Sequence, residues 1–165
     1  MLGLRGKVSE NGANRWFRRL AEGIFDQEDL ARRTSELRSE LELVPQLFGL
    51  GDRQVVALGY SNGANMAANL LLSGFSGFAG AILLRPMVPG EAVEGSDLHG
   101  QAILITSGQM DSICPPGEGE RLSEMLVALK ANVQFELVPA GHNLTQQDLR
   151  LAQSWMNRLA HTSSH

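Results

Sequence analysis

An α/β fold is predicted for this chain: a three-layer sandwich in which a shortened, mostly parallel sheet of about four strands is covered by helices. Three observations lead there. Four short, nearly continuous apolar runs end in Gly, Pro or polar residues, and segments with helical apolar spacing separate them. No internal repeat or linker divides the 165 residues, which suit one domain spanning 1–165.

The first helical pattern, "DQEDLARRTSELRSELELVPQLFGL", has Asp26 as N-cap with Asp29 three residues on. Leu30, Leu37, Leu41, Val44 and Phe48 follow along one stripe, and Pro45 is expected to end or bend the helix. "QVVALGY" (54–60) is the first buried strand, and "NGANMAANLLLSG" the helix after it, stopping at Gly74. "FAGAILLRP" (78–86) and "QAILITSG" (101–108) are the next two strands. The irregular loop between them, "PMVPGEAVEGSDLHG" (86–100), leaves a strand's C-terminal end and is a candidate pocket wall. In "GEGERLSEMLVALKAN", Leu122, Met125, Leu126 and Leu129 recur at helical spacing. "VQFELVPA" (133–140) is the fourth strand, and Gln134 and Glu136 between apolar neighbours hint at an edge position. In the closing helix Thr145 and Asp148 hold capping-box positions, with Leu149, Ala152, Met156 and Leu159 as the expected inward face.

Composition narrows function by exclusion. Apolar residues make up 43%, charged residues 19%, and the net charge is −4. That balance argues against nucleic acid or an anionic membrane as the main partner. The local basic cluster "NRWFRRL", with Arg15, Arg18 and Arg19, reads as a solvated turn or helix face. The single cysteine, Cys114, excludes an internal disulfide and any thiolate zinc cluster, and suits a reducing compartment. No apolar run reaches the length of a membrane span, and "MLGLRGKVSENG" has no apolar signal core, so a cytoplasmic protein is expected. Neither a Gly-x-Gly-x-x-Gly nor a Gly-x-x-x-x-Gly-Lys loop is present; no cofactor and no metal are expected.

The informative stretch is "VVALGYSNGANMAANLLL", where Ser61 stands between Gly59 and Gly63 at a strand-to-helix junction. Gly-x-Ser-x-Gly in that setting describes a nucleophile elbow, a turn too tight for side chains at the glycines, which lifts the serine to a helix head. The pattern alone is weak, since a serine there can simply cap the helix. Two further residues complete it. Asp111 follows the strand "AILITSG", and His142 follows the last strand in "VPAGHNL". A serine hydroxyl needs a base to become a nucleophile, and the base needs a carboxylate to hold its tautomer. All three residues lie just past strand C-termini, the edge of a parallel sheet where ligands bind, in the order Ser, Asp, His.

The segments "LRGKVSENGANRWFRRLAEGIFDQEDL", "GYSNGANMA", "LRPMVP", "SGQMDSICPP" and "GHNLTQQDL" together resemble the phospholipase/carboxylesterase family of α/β-hydrolases. The nearest likeness is to its small bacterial carboxylesterases, some associated with hydroquinone or dienelactone chemistry. The resemblance implies an α/β-hydrolase-like fold, Ser61 as nucleophile, Asp111 as acid, His142 as base, and cofactor-free hydrolysis of small carboxylic esters. The Asn62 N–H, directly after the nucleophile, is the expected oxyanion donor. Met87, Val88, Ile113 and Pro115, beyond the strand ends, are candidates for an apolar acyl pocket or for ordinary loop packing, with Phe17 and Trp16 as further rim candidates. Cys114, beside Asp111 with no neighbouring base in sequence, reads as a bystander.

Members of that family usually begin earlier, with an apolar strand ending in a His-Gly-rich loop that supplies a second oxyanion donor. Met1 stands only a few residues before "LRGKVSENG", so no counterpart is expected here, and activity is expected to be reduced. The strand at 54–60 is then expected to be an open edge that forms a homo-oligomer with a second copy, or is filled by "MLGLRG". Two alternatives to an esterase stay open: an impaired binding or assembly module, and a lactone or dienelactone hydrolase using the same three residues.

Overall fold

The computed structural model describes residues 1–10, 12–51 and 53–162. Two small antiparallel hairpins come first: β1 (Val8–Glu10) with β2 (Ala13–Arg15), and β3 (Arg19–Ala21) with β4 (Ile24–Phe25). Helix α1 (Gln27–Leu47) precedes a four-stranded sheet built from β5 (Val56–Tyr60), β6 (Gly80–Leu84), β7 (Ala102–Gly108) and β8 (Asn132–Val138). Helix α2 (Asn62–Leu72) joins β5 to β6, α3 (Glu118–Ala128) joins β7 to β8, and α4 (Gln146–Thr162) closes the chain.

The strands are all parallel, in the order β5-β6-β7-β8. Their side chains divide with period two, as a pleated strand requires. Ala81, Leu83, Ile103 and Ile105 face the core shared with α1, α2 and α3, whereas Ile82, Leu84 and Leu104 face Trp155 of α4. Burial on both sides explains the nearly continuous apolar runs. β8 lies at an edge, as Gln134 and Glu136 suggested, and among the described residues β5 pairs with β6 alone, leaving Leu58 63% exposed. Met1–Gly6 forms no strand, so "MLGLRG" does not fill that edge. No helix of the described residues is long and apolar enough to cross a membrane.

Several local expectations change. The basic cluster lies in the hairpins and is ion-paired: Arg15 and Arg19 share Glu10, and Arg18 meets Asp26 and Asp29. Asp26 caps α1 as expected, its carboxylate accepting the Asp29 N–H at 3.0 Å. Pro45 does not end the helix, which runs two residues further; Phe48 is its C-cap and is exposed rather than part of the stripe. The inward face of α4 is rotated. Leu149 and Met156 are exposed, while Leu151, Ala152, Trp155 and Leu159 meet the sheet. The cause lies one turn earlier: buried Asp148 pairs with Arg85, and residues on the same helical face follow it inward.

Candidate active site

Strand β5 ends at the tight turn that carries Ser61. Its φ of 50° and ψ of −117° are strained for a residue with a side chain, and its N–H is tied to Leu84 O of the neighbouring strand at 2.9 Å. A Cβ on Gly59 would stand 2.6 Å from both Ala64 N and Gly63 O, so only glycine fits there. Gly63 differs: its nearest neighbour would be Trp16 Nε1 at 3.4 Å, an ordinary contact. The expectation that the turn excludes both side chains therefore holds for the first glycine alone. Ser61 occupies the N-cap position of α2, yet its side chain makes no capping bond.

The hydroxyl instead meets His142. Ser61 Oγ lies 2.9 Å from His142 Nε2, and His142 Nδ1 lies 2.9 Å from Asp111 Oδ2. The other carboxylate oxygen of Asp111 accepts the N–H groups of Ile113 (2.9 Å) and Cys114 (3.0 Å). Burial pushes the Asp111 carboxyl up. The Cys114 N–H, the His142 imidazole and the Ile113 N–H outweigh that cost and hold it below the usual carboxylate range. An ionised carboxylate can only accept, so Nδ1 carries the imidazole proton toward it. Nε2 is then left with a lone pair for the serine O–H. Three side chains from three strand ends thus form one chain of hydrogen bonds, able to draw a proton from a hydroxyl at a strained turn.

The Asn62 N–H is the first of α2 and belongs to the unpaired donors at its positive end. The Asn62 side chain accepts the Trp16 N–H at 2.7 Å, which ties the hairpin segment to the elbow. Trp16 thereby reaches the α2 head, but Phe17 does not reach the rim. It is fully buried, edge-on to Phe25 at 5.2 Å, and offers no free surface to a ligand. Met87 is buried, its N–H bonded to Asn65 Oδ1 at 2.8 Å, and half-buried Val88 donates its N–H to Glu118 Oε2 at 2.9 Å. Ile113 is exposed. A cavity of about 180 Å³ is lined by Arg85, Asp111, Cys114, Pro115 and Glu120 among others. Its lining includes neither Ser61 nor His142, nor Met87, Val88 or Ile113. Of Ser61, Asp111 and His142 it touches Asp111 alone, and of the expected pocket residues it takes in Pro115.

Cys114 is closer to the machinery than its sequence neighbours suggest. Its Sγ lies 3.8 Å from His142 Nδ1 and donates to Arg85 O at 3.5 Å. The metal-binding atom types of Asp111, Cys114 and His142 all fall within 4.8 Å of one another. Burial, with the Asp111 charge beside it, pushes the thiol up to about 12, so it stays protonated and is neither a ready thiolate ligand nor a second nucleophile.

Two neighbours escaped the sequence reading. The Tyr60 hydroxyl donates to His142 O at 3.3 Å, with the rings 5.4 Å apart. Arg85, wholly buried, donates from Nε to Gly141 O at 3.1 Å. An arginine closing an otherwise apolar strand was a usable signal; its partners lie too far along the chain to be read.

The chain matches the phospholipase/carboxylesterase family model over residues 8–160. It is 40% identical over 155 residues to MhqD of Bacillus subtilis, a protein named as a hydrolase, covering 94% of this chain and 78% of that one. It also resembles the crystal structure of a Bacillus cereus carboxylesterase, with 42% identity and a TM-score of 0.89, over 94% of this chain and 73% of that one. A carboxylesterase structure from Mesorhizobium loti is similar at 28% identity and a TM-score of 0.79, over 93% of this chain and 73% of that one. With an α/β sheet, a serine at its elbow and a family match along nearly its whole length, this chain belongs to the phospholipase/carboxylesterase family of α/β-hydrolases.

Proposed function

We propose that this hydrolase cleaves small carboxylic esters through Ser61, His142 and Asp111, by way of an acyl-enzyme. The observation that carries the reading is the unbroken hydrogen-bond chain from Ser61 Oγ through both His142 nitrogens to Asp111. His142 Nε2 takes the serine proton as Oγ attacks the ester carbonyl, and the imidazolium that forms is stabilised by the Asp111 carboxylate. The carbonyl oxygen becomes an oxyanion facing the Asn62 N–H at the positive end of α2, a donor of the kind worth roughly a hundred- to a thousand-fold in rate. His142 then gives its proton to the departing alcohol. Water, activated by the same imidazole, attacks the acyl-enzyme, releases the acid and returns the proton to Ser61.

p-Nitrophenyl acetate and butyrate are suitable substrates, because their good leaving group makes acylation undemanding. Ser61→Ala is expected to abolish their turnover without altering the fold. Retention of the wild-type rate in that variant would remove Ser61 from the mechanism.

A further inference from the structure

His142 lies in the loop between β8 and α4, outside any regular ladder. Four carbonyl groups along this stretch, those of Val138, Ala140, Gly141 and His142, accept from donors outside it. Val138 O accepts the Gln109 N–H at 2.9 Å and Ala140 O the Met110 N–H at 3.0 Å, which stitches the histidine loop to the loop carrying Asp111. Those two bonds are backbone–backbone and suit many sequences. The next two carbonyls depend on side chains: Gly141 O accepts from Arg85 Nε and His142 O from the Tyr60 hydroxyl.

Arg85 is the buried member of that pair, and its orientation is fully determined. Its Nη1 donates to Asp148 Oδ1 at 2.7 Å and to Thr106 Oγ1 at 2.8 Å, and its Nη2 to Asp148 Oδ2 at 2.9 Å. Asp148 is held in turn by the N–H and hydroxyl of Thr145, both at 2.8 Å, at the start of α4. A planar guanidinium gripped at both terminal nitrogens by one carboxylate has its third donor direction set. Here that direction meets the carbonyl immediately before His142.

A buried ion pair is weak evidence for stability, because apolar residues of similar size often serve as well. A reason for this one lies in what its third donor holds. We propose that Arg85 is a positioning residue for His142: oriented by Asp148, it anchors the Gly141 carbonyl and so keeps the imidazole between Asp111 and Ser61. The inference rests on the reading of His142 as the base.

Two variants test it. Arg85→Lys keeps a buried cation beside Asp148 but loses the planar fork and its third donor. Arg85→Met combined with Asp148→Asn removes both charges together, so that no unpaired ion is left buried, and retains an acceptor for Thr145. Both are expected to lower kcat for p-nitrophenyl butyrate about 10- to 100-fold with KM within about threefold, since misplacing a catalytic group by about an ångström costs on this scale. The downfield proton NMR signal of the His142 Nδ1–H bonded to Asp111 should broaden or shift in both. Wild-type kcat in either folded variant would overturn the inference. So would a loss of kcat with that signal unchanged. Ser61→Ala measured alongside separates the two readings: if it turns over normally, the esterase mechanism has failed rather than the role of Arg85.

Discussion

Replacing Gly108 with alanine should cripple the reaction without touching any reacting group. Gly108 ends β7, and a Cβ there would lie 2.5 Å from Gly141 O and 2.6 Å from Ala140 O. Both are backbone atoms of the loop carrying His142, so no side-chain rotation relieves the overlap. Ordinary contact begins near 3.4 Å, and the loop must withdraw by about 0.9 Å. Carried through to the imidazole, that shift stretches the 2.9 Å link between His142 Nε2 and Ser61 Oγ beyond hydrogen-bonding range. The expected penalty is about a hundred-fold in kcat, or about 2.7 kcal/mol of barrier. Overpacking also costs on the order of 1–3 kcal/mol of stability. The assay is steady-state hydrolysis of p-nitrophenyl butyrate, paired with a thermal melt to show that the variant is folded. Gly3→Ala, which has nothing within 4 Å of the added carbon, serves as the control. A folded Gly108→Ala enzyme with wild-type kcat would refute the idea that the contact between these two loops sets the base.

The side chain of Cys114 contacts the relay through its sulfur, while the bond from its N–H to Asp111 belongs to the backbone and survives substitution. Cys114→Ala should keep activity within about threefold, and with the thiol raised to about 12, iodoacetamide at pH 8 should react slowly with the wild type; rapid inactivation would contradict this. Burial raises the Asp148 carboxyl, but Arg85, Thr145 and Thr106 outweigh it and bring it down to about 2. A carboxyl lower in the folded than in the unfolded chain stabilises fully above the unfolded value of about 3.9, and that contribution is lost as the pH falls through about 2. Urea melts should therefore show the gap between wild type and Asp148→Asn narrowing by about 2 kcal/mol from pH 5 to pH 2, and a gap independent of pH would show that the pair carries no such linkage.

What the sequence made legible follows from where its physics is local. The central strands β6 and β7 are buried on both faces and the edge strands β5 and β8 are largely apolar, so each reads as an apolar run without its neighbours; β5, β6 and β7 lie within the expected segments, and β8 begins one residue before its own. Ser61, Asp111 and His142 were readable for a related reason: each follows such a run, and parallel strands bring their C-terminal ends to one edge. The hairpins formed by β1 to β4 carry no legible pattern because strands of two or three residues are too short to show a periodicity, although the Asn-Gly pair in "SENGAN" is a recognised hairpin signal. The face of α4 was misread because apolarity alone favoured Leu149 and Met156. The register is set by an ion pair between residues 85 and 148, which no local pattern reveals. Phe17 is a rim candidate from the sequence, whereas edge-on packing against Phe25 takes it inside.

The most direct test of the central claim is intact-mass analysis after brief treatment with a fluorophosphonate, followed by peptide mapping. A serine activated by His142 should gain one phosphonyl group, located on Ser61, and the adduct should be absent from Ser61→Ala and form far more slowly in His142→Ala. An unmodified wild-type protein, or an adduct on another residue, would contradict the account.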